Sequence, residues 1–391
     1  MLRYTFLFVT IIVQCLCLPA QQEEPLKEVI DADNKFTSKL MKELSGSEES
    51  SYVFSGLSAD IITSLLASGA KGSTKSELLL ALNLVKNDQQ RNDGVKQLTS
   101  HLSVDTDKLK ILSANKIYPA DGFTVSEDFR KTAVDDYDSE VENVDFKNGA
   151  QAAGIINKWV EQKTNGKIQN LIDPNQLRSD TKLVLANTLY FSGQWVEPFR
   201  FTGNGLFQSK EGQSKEIPML QDTLQAKFRH CGFYKTKFLE LDIADGKASM
   251  MFVLPDERDG LSKMENDFVG VSELHSMKSG YVNISIPKFQ IETAIDFVPL
   301  FKKLGAEQVF RNDADLSGLS SVTGLQVDSI RQKTIIDVTQ DGVEAAAATG
   351  VQISPTSAVL PVFTFIADRP FLYYIREKNS EAILFAGRYS G

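Results

Sequence analysis

Residues 341–371 read DGVEAAAATGVQISPTSAVLPVFTFIADRPF and carry no charge from Ala345 to Ala367, in a chain of which 24% is charged. An extended backbone points alternate side chains to opposite faces. Extended over residues 343–352, the segment places Val343, Ala345, Ala347, Thr349 and Val351 on one face, and Glu344, Ala346, Ala348, Gly350 and Gln352 on the other. The first face is small, apolar and β-branched at both ends, which suits a strand with one buried side. The run EAAAA also has high helix propensity between Gly342 and Gly350, so periodicity leaves a short surface helix as an equal alternative. Beyond Gln352, the row Ser354-Pro355-Thr356-Ser357 breaks both patterns and reads as an exposed loop. An uncharged segment able to be loop or strand is a candidate conformational switch.

The rest of the chain sets the frame for that segment. With 391 residues and 42% hydrophobic composition it can bury a large core; length alone suggests two or three domains, although a mixed fold of this size can be one. The net charge of -9 and the absence of any block of like charges disfavour nucleic acid and anionic membranes as partners. NLVKNDQQRNDGVKQL, residues 83–98, has no dense basic face and predicts no site for heparin-like polyanions. At the start, Arg3 precedes an apolar stretch from Tyr4 to Val13 and then small and turn residues. This pattern predicts a secretory signal over residues 1–17, its end open between 15 and 20, too short to span a ~30 Å hydrocarbon core. The remaining chain, 21–391, is then secreted, without a membrane span, and monomeric. Only Cys15, Cys17 and Cys231 occur, which predicts one free thiol at Cys231 and no disulfide framework. One acceptor sequon, Asn283-Ile284-Ser285, falls inside a strand-like run.

Along the chain, Leu26, Ile30, Phe36, Leu40 and Leu44 recur at helical spacing. A second, apolar helix is expected from Ser58 to about Ser68, ended by Gly69-Ala70-Lys71-Gly72, with Ser73 or Thr74 capping the next. GAQAAGIINKWVEQK predicts a helix stopped at Asn165-Gly166, and AIDFVPLFKKL one stopped at Gly305. Leu183 to Phe191 is apolar and β-rich, as in a central strand covered on both faces. KASMMFVLP, YVNISIPKFQIE and LQVDSIRQKTIIDVTQ read as further strands, and FLYYIREKNSEAILFAGRYSG as a hairpin. Helices dominate the first half and strands the second, with no repeat or linker, so the expected class is a single α+β domain.

Nothing in the sequence points to catalysis, a cofactor or a metal. His101, His230 and His275 lack metal-ligand spacing, GAKGST lacks the spacing of a phosphate-binding loop, and FSGLS lacks the first glycine of a nucleophile elbow.

The late segment DGVEAAAATG resembles the hinge of the serpins, whose usual form is an acidic residue, Gly, Thr, Glu and a run of alanines. LVLANTLYFSGQWVEPF resembles that family's central strand and breach, INKWVEQKTNGKIQNLI the helix and loop before it, and GAKGSTKSELLLAL its early helices. ISIPKFQIETAIDFVPLFKKLG and ADRPFLYYIREKNSEAILFAGR match as well, in the right order over almost the whole chain. The resemblance, to secreted inhibitory members of insect type, implies three β-sheets with surrounding helices and an exposed reactive loop at about 340–362. It implies inhibition of an endopeptidase that attacks the loop as substrate. After cleavage the loop enters the main sheet as a new strand and carries the acylated protease with it. Parity explains why this chain can do so: a strand entering between packed neighbours needs a thin, uncharged inner face, because a buried unpaired charge costs several kcal/mol.

Family counting puts Gly342 fifteen residues before the scissile bond, which makes that bond Thr356-Ser357 with Pro355 before it; Ala358 and Val359 remain alternative acyl donors. The implied hinge is Gly342, Val343, Glu344, Ala345, Ala346, Ala347, Ala348 and Thr349; Trp195 belongs to the breach and Asn187, Ser55 and Ser58 to the shutter. Threonine cannot ion-pair in a trypsin-like pocket and underfills a chymotrypsin-like one, so the expected target is elastase-like or a papain-like cysteine endopeptidase. Four positions depart from the family pattern: Val343 for threonine, Gln340 for glutamate, Gln332 for the shutter histidine, and Gly56 for proline. These departures keep open a non-inhibitory or reversible, substrate-like member with a carrier, storage or chaperone role.

Overall fold

The computed structural model describes residues 24–47, 50–209, 212–267, 277–343 and 363–391. Helix α1 (Glu24–Ser47) buries Ile30, Phe36, Leu40 and Leu44, the stripe its spacing predicts. Helix α2 (Gly56–Gly69) is buried on nearly every side and starts two residues before Ser58, because the Ser55 hydroxyl accepts from Ser58 N–H as its N-cap. Helix α3 (Gly72–Ala81) corrects the expected caps: Lys71 is the N-cap residue and makes no side-chain cap bond. Thr74 is buried in the first turn, where its Oγ1 accepts from Asp315 N–H at 2.9 Å, so a tertiary contact has taken the hydroxyl that local sequence assigned to a cap. Helices α4 (Asp88–His101), α5 (Glu127–Tyr137) and α6 (Gly149–Lys163) follow, capped by the side chains of Asn87, Ser126 and Asn148. Helix α7 spans Leu261–Asp267, and α8 (Phe297–Leu304) ends at Gly305 in the left-handed region, φ 98°, which glycine tolerates without a Cβ penalty.

Among the described residues, the main sheet has seven strands in the order β11 (Phe289–Asp296), β12 (Ser329–Val338), β13 (Gly342–Val343), β5 (Leu183–Gln194), β3 (Leu109–Pro119) and β2 (Ser103–Asp105), with β4 (Ser139–Val141) also on β3. The other nine form one hydrogen-bonded network: β1 (Tyr52–Phe54), β16 (Ile383–Tyr389), β15 (Phe371–Glu377), β9 (Ala248–Pro255), β8 (Thr236–Ile243), β7 (Ser214–Cys231), β10 (Lys278–Pro287) and β14 (Phe363–Ile366), with β6 (Phe201–Gln208) on β7. This network is two sheets sharing one long strand. The first part of β7 pairs with β6 and β10, and its end, Lys227 to Cys231, with β8. Three sheets with surrounding helices therefore hold, as expected.

Strand β5 lies at the centre. Its Leu183, Leu185, Leu189 and Phe191 enter the main core, where α2 packs against β3, β5 and β16. Its Val184 and Ala186 enter a second core with Ile156 and Trp159 of α6. The unbroken apolar run in the sequence thus reflects burial on both faces. Cys231 is a buried free thiol.

Candidate functional site

The strands beside β13 are joined at one end and parted at the other. Ser329–Lys333 of β12 pair directly and in parallel with Val184–Thr188 of β5. Beyond Lys333 and Thr188 that pairing stops among the described residues. The two-residue strand β13 is wedged into the parted end, antiparallel to both neighbours: Val343 lies opposite Val338 of β12 and Gly193 of β5, and Gly342 opposite Gln194. Val343 is buried, so the first position of the predicted inner face does face the core. Glycine at 193 is dictated by close approach, since a Cβ there would meet Ile243 Cγ2 at 2.4 Å.

A tight reversal brings the chain from β12 into β13. Thr339 donates to Gly342 O through both N–H (2.8 Å) and Oγ1 (2.9 Å). Three successive carbonyls of the turn are held from one side. Thr339 O accepts from Trp195 Nε1, Gln340 O from Phe199 N–H, and Asp341 O from Trp195 N–H, each at 3.0 Å. The buried Trp195 ring meets Phe199 edge to face, with centroids 6.2 Å apart. Trp195 is therefore more than a core residue: it clamps the turn that leads into β13. Of the Gln340 departure, the backbone carbonyl does the holding, so the identity of the side chain is not needed for that bond.

Farther along the seam, a buried amide network joins β12, β5, β3 and α2. Gln332 Nε2 donates to Asn187 Oδ1 (2.7 Å) and to Ser55 O (2.9 Å), while its Oε1 accepts from Ser55 N–H (2.9 Å). Asn187 Nδ2 reaches Ser58 O (2.7 Å) and Asn115 Oδ1 (2.5 Å). Gln332, read from sequence only as a missing histidine, uses both amide donors and one acceptor position here without a titratable group. Gly56 has an equally local reason: a Cβ at that position would come within 1.9 Å of Thr37 Oγ1 on α1. The helices approach too closely for the proline of the family pattern.

Behind this contact lies a charged cluster that sequence reading missed. Asp33 of α1, Asp60 of α2 and Arg91 of α4 are all buried. Burial pushes the Asp60 carboxyl up to about 7, against the Ser64 hydroxyl bond (3.1 Å) and the nearby Arg91 charge. Burial also raises Asp33 well above the usual carboxylate range, with the Asp60 charge adding to it; Thr37 Oγ1 donates to its Oδ1 at 3.5 Å. The Arg91 guanidinium is committed elsewhere, to Val85 O (2.8 Å) and Asp88 Oδ1 (2.7 Å). The available signal was Asp60 itself, the sole charge in an otherwise apolar helix.

Of the sequence-predicted site residues, the structure brings Gly342, Val343 and Trp195 together at the parted end of β12 and β5, and Asn187, Ser55 and Ser58 together in the buried amide network. Glu344 through Thr349, Pro355, Thr356 and Ser357 lie outside the described residues, as does the expected leader. Among the described residues no helix is long and apolar enough to cross a membrane, and no group of three or more potential metal ligands occurs.

Comparison with known proteins places this geometry. The family model described as Serpin (serine protease inhibitor) matches residues 31–391. Antitrypsin of Bombyx mori is 30% identical over 355 residues, covering 88% of this chain and 90% of that protein. The crystal structure of Serpin48, described as a highly specific serpin in the insect Tenebrio molitor, superposes with a TM-score of 0.84 at 36% identity, covering 96% of this chain and 99% of the other. Human thyroxine-binding globulin in complex with its hormone superposes with a TM-score of 0.81 at 25% identity, covering 93% and 97%.

Proposed function

The chain belongs to the serpin family, and from that premise we propose that it is a secreted inhibitor that traps an endopeptidase by offering Thr356-Ser357 as bait and inserting the cleaved loop into the main sheet. The observation that carries this reading is β13: the hinge already begins as a strand between β12 and β5, at the end where those strands have parted. Continuing the register of Val343 brings Ala345 opposite Ile336 and Phe191, and Ala347 opposite Thr334 and Leu189. Each of these positions meets the inner face, which the alanines can enter without volume or charge. Every residue added gives the facing edges of β12 and β5 a backbone partner, a gain withheld from the uncleaved chain.

The chemistry of the bait is a substrate's. The protease nucleophile adds to the Thr356 carbonyl carbon, the bond to Ser357 N breaks, and the amine leaves with the proton supplied by the protease's general acid. If insertion outruns hydrolysis of the resulting ester or thioester, the protease stays attached. A small β-branched residue at the acyl position favours an elastase-like serine endopeptidase, or a papain-like cysteine endopeptidase selecting through Pro355. The relatives named antitrypsin and antichymotrypsin support protease inhibition as the coarser reading. The likeness to thyroxine-binding globulin motivates the carrier alternative.

Incubation with elastase-like, chymotrypsin-like, trypsin-like and cathepsin-like proteases, followed by denaturing electrophoresis and mass measurement of the released fragment, separates the readings. Trapping predicts a covalent complex and a fragment beginning at Ser357. Clean cutting by every protease, with activity undiminished, supports the non-inhibitory alternative; activity that returns on dilution marks reversible inhibition.

A further inference from the structure

We propose that Asn283 carries an N-linked glycan that covers exposed apolar side chains on the outer face of the sheet formed by β6, the first part of β7, β10 and β14. The proposal rests on the secretory reading above, since the modifying enzymes meet only chains that enter that route.

Along β10, Val282, Ile284 and Ile286 point into the core, which turns Tyr281, Asn283 and Ser285 outward. The pairings extend that outer face across its neighbours. One row runs Thr223, Asn283, Thr364 and the next Phe201, Gln221, Ser285, Ile366, on strands β7, β10, β14 and then β6, β7, β10, β14. Asn283 itself is exposed and flanked by two threonines, which leave lateral room for a sugar. Three large apolar side chains stand exposed among the polar ones of this face: Tyr281 is 39% exposed, Ile366 44% and Phe201 60%. Tyr281 and Ile366 lie one row from Asn283 on the same or the adjacent strand, ~7–8 Å away and within the span of the first sugars, and Phe201 lies one strand farther. Tyr281, two residues before Asn283 and on the same face, offers a ring against which a pyranose C–H face can lie.

A sequon within a strand is open to transfer only before the strand is enclosed. Of the two strands that enclose β10, β7 precedes it but β14 begins about 80 residues after Asn283, so one edge of β10 is still uncovered when it leaves the ribosome. Transfer from a lipid-pyrophosphate-linked oligosaccharide forms the bond from Asn283 Nδ2 to the sugar C1 and breaks the bond from C1 to the pyrophosphate oxygen. The amide loses one proton, and the lipid pyrophosphate leaves. The outward aim of the side chain means that the folded sheet accepts the product without moving.

The test is the intact mass of the full chain secreted by a eukaryotic host, before and after peptide-N-glycosidase treatment, beside the N283Q variant. The expected results are a loss of one glycan's mass on treatment, an acidic residue left at position 283, no loss for N283Q, and greater apolar-dye binding by N283Q than by the wild type. Secreted wild-type chain with the bare polypeptide mass overturns the proposal. Retention in the cell under its own leader is a failure of the secretory reading instead. A substituted leader then delivers the chain, and the same mass decides.

Discussion

At the hinge, one methyl-bearing side chain stands where the neighbouring sheet leaves only space for something small and uncharged. Val343 is enclosed by Val338 and Gly193, so threonine at this position should insert much as valine does, whereas a carboxylate must be desolvated to enter. Val343→Glu is expected to turn the chain from an inhibitor into a substrate, which active-site titration reads as a rise of tenfold or more in inhibitor consumed per protease trapped; about 1.4 kcal/mol, well below a buried charge's cost, gives that factor. Val343→Thr should leave the ratio near its starting value. At the shutter, Gln332→Ala leaves the Ser55 N–H and C=O and the Asn187 carbonyl without their partner. Each buried group so orphaned costs roughly 1–3 kcal/mol, so calorimetry should show a lower midpoint by several degrees. Gly56→Ala should lower it too, through the contact with Thr37 Oγ1, and Thr37→Ala in the same chain should recover part of the loss.

Among the elements, the interface of α1, α2 and α4 carries the chain's clearest pH signature. Asp60 and Asp33 have folded pKa values above the ordinary carboxylate value of 3.8, so the folded chain binds more protons than the unfolded chain between that value and their own. Stability must then fall as pH rises above about 4, with Asp60's contribution lost by about 7. Unfolding midpoints across pH 5–8 should slope downward for the wild type and less so for D60N; equal slopes contradict the assignment. The sequence disclosed the elements that repeat their pattern: the period of α1, the stop of α8 at Gly305, the double-faced burial of β5. It concealed what depends on partners far along the chain. Thr74 is diverted from capping by Asp315, Gln332 is a bridge to Ser55 across 277 residues, and Asp33, Asp60 and Arg91 meet only when three helices pack. Parity put Val343 on a buried face, and its pairing with Val338 and Gly193 shows which strands receive it.

For the molecule as a whole, we propose that the uncleaved chain is not at its most stable arrangement. A seven-stranded sheet joined at Ser329–Lys333 and parted beyond them holds backbone groups that a further strand would pair. The Gln332–Asn187 bridge ties β12 to β5, and the turn clamped by Trp195 sets where a new strand enters. The most direct test is thermal unfolding of the purified chain before and after a single cut within residues 353–360, the fragments being kept together. Insertion predicts a large rise in the unfolding midpoint after the cut, because the loop completes the sheet; an unchanged or lower midpoint contradicts the account.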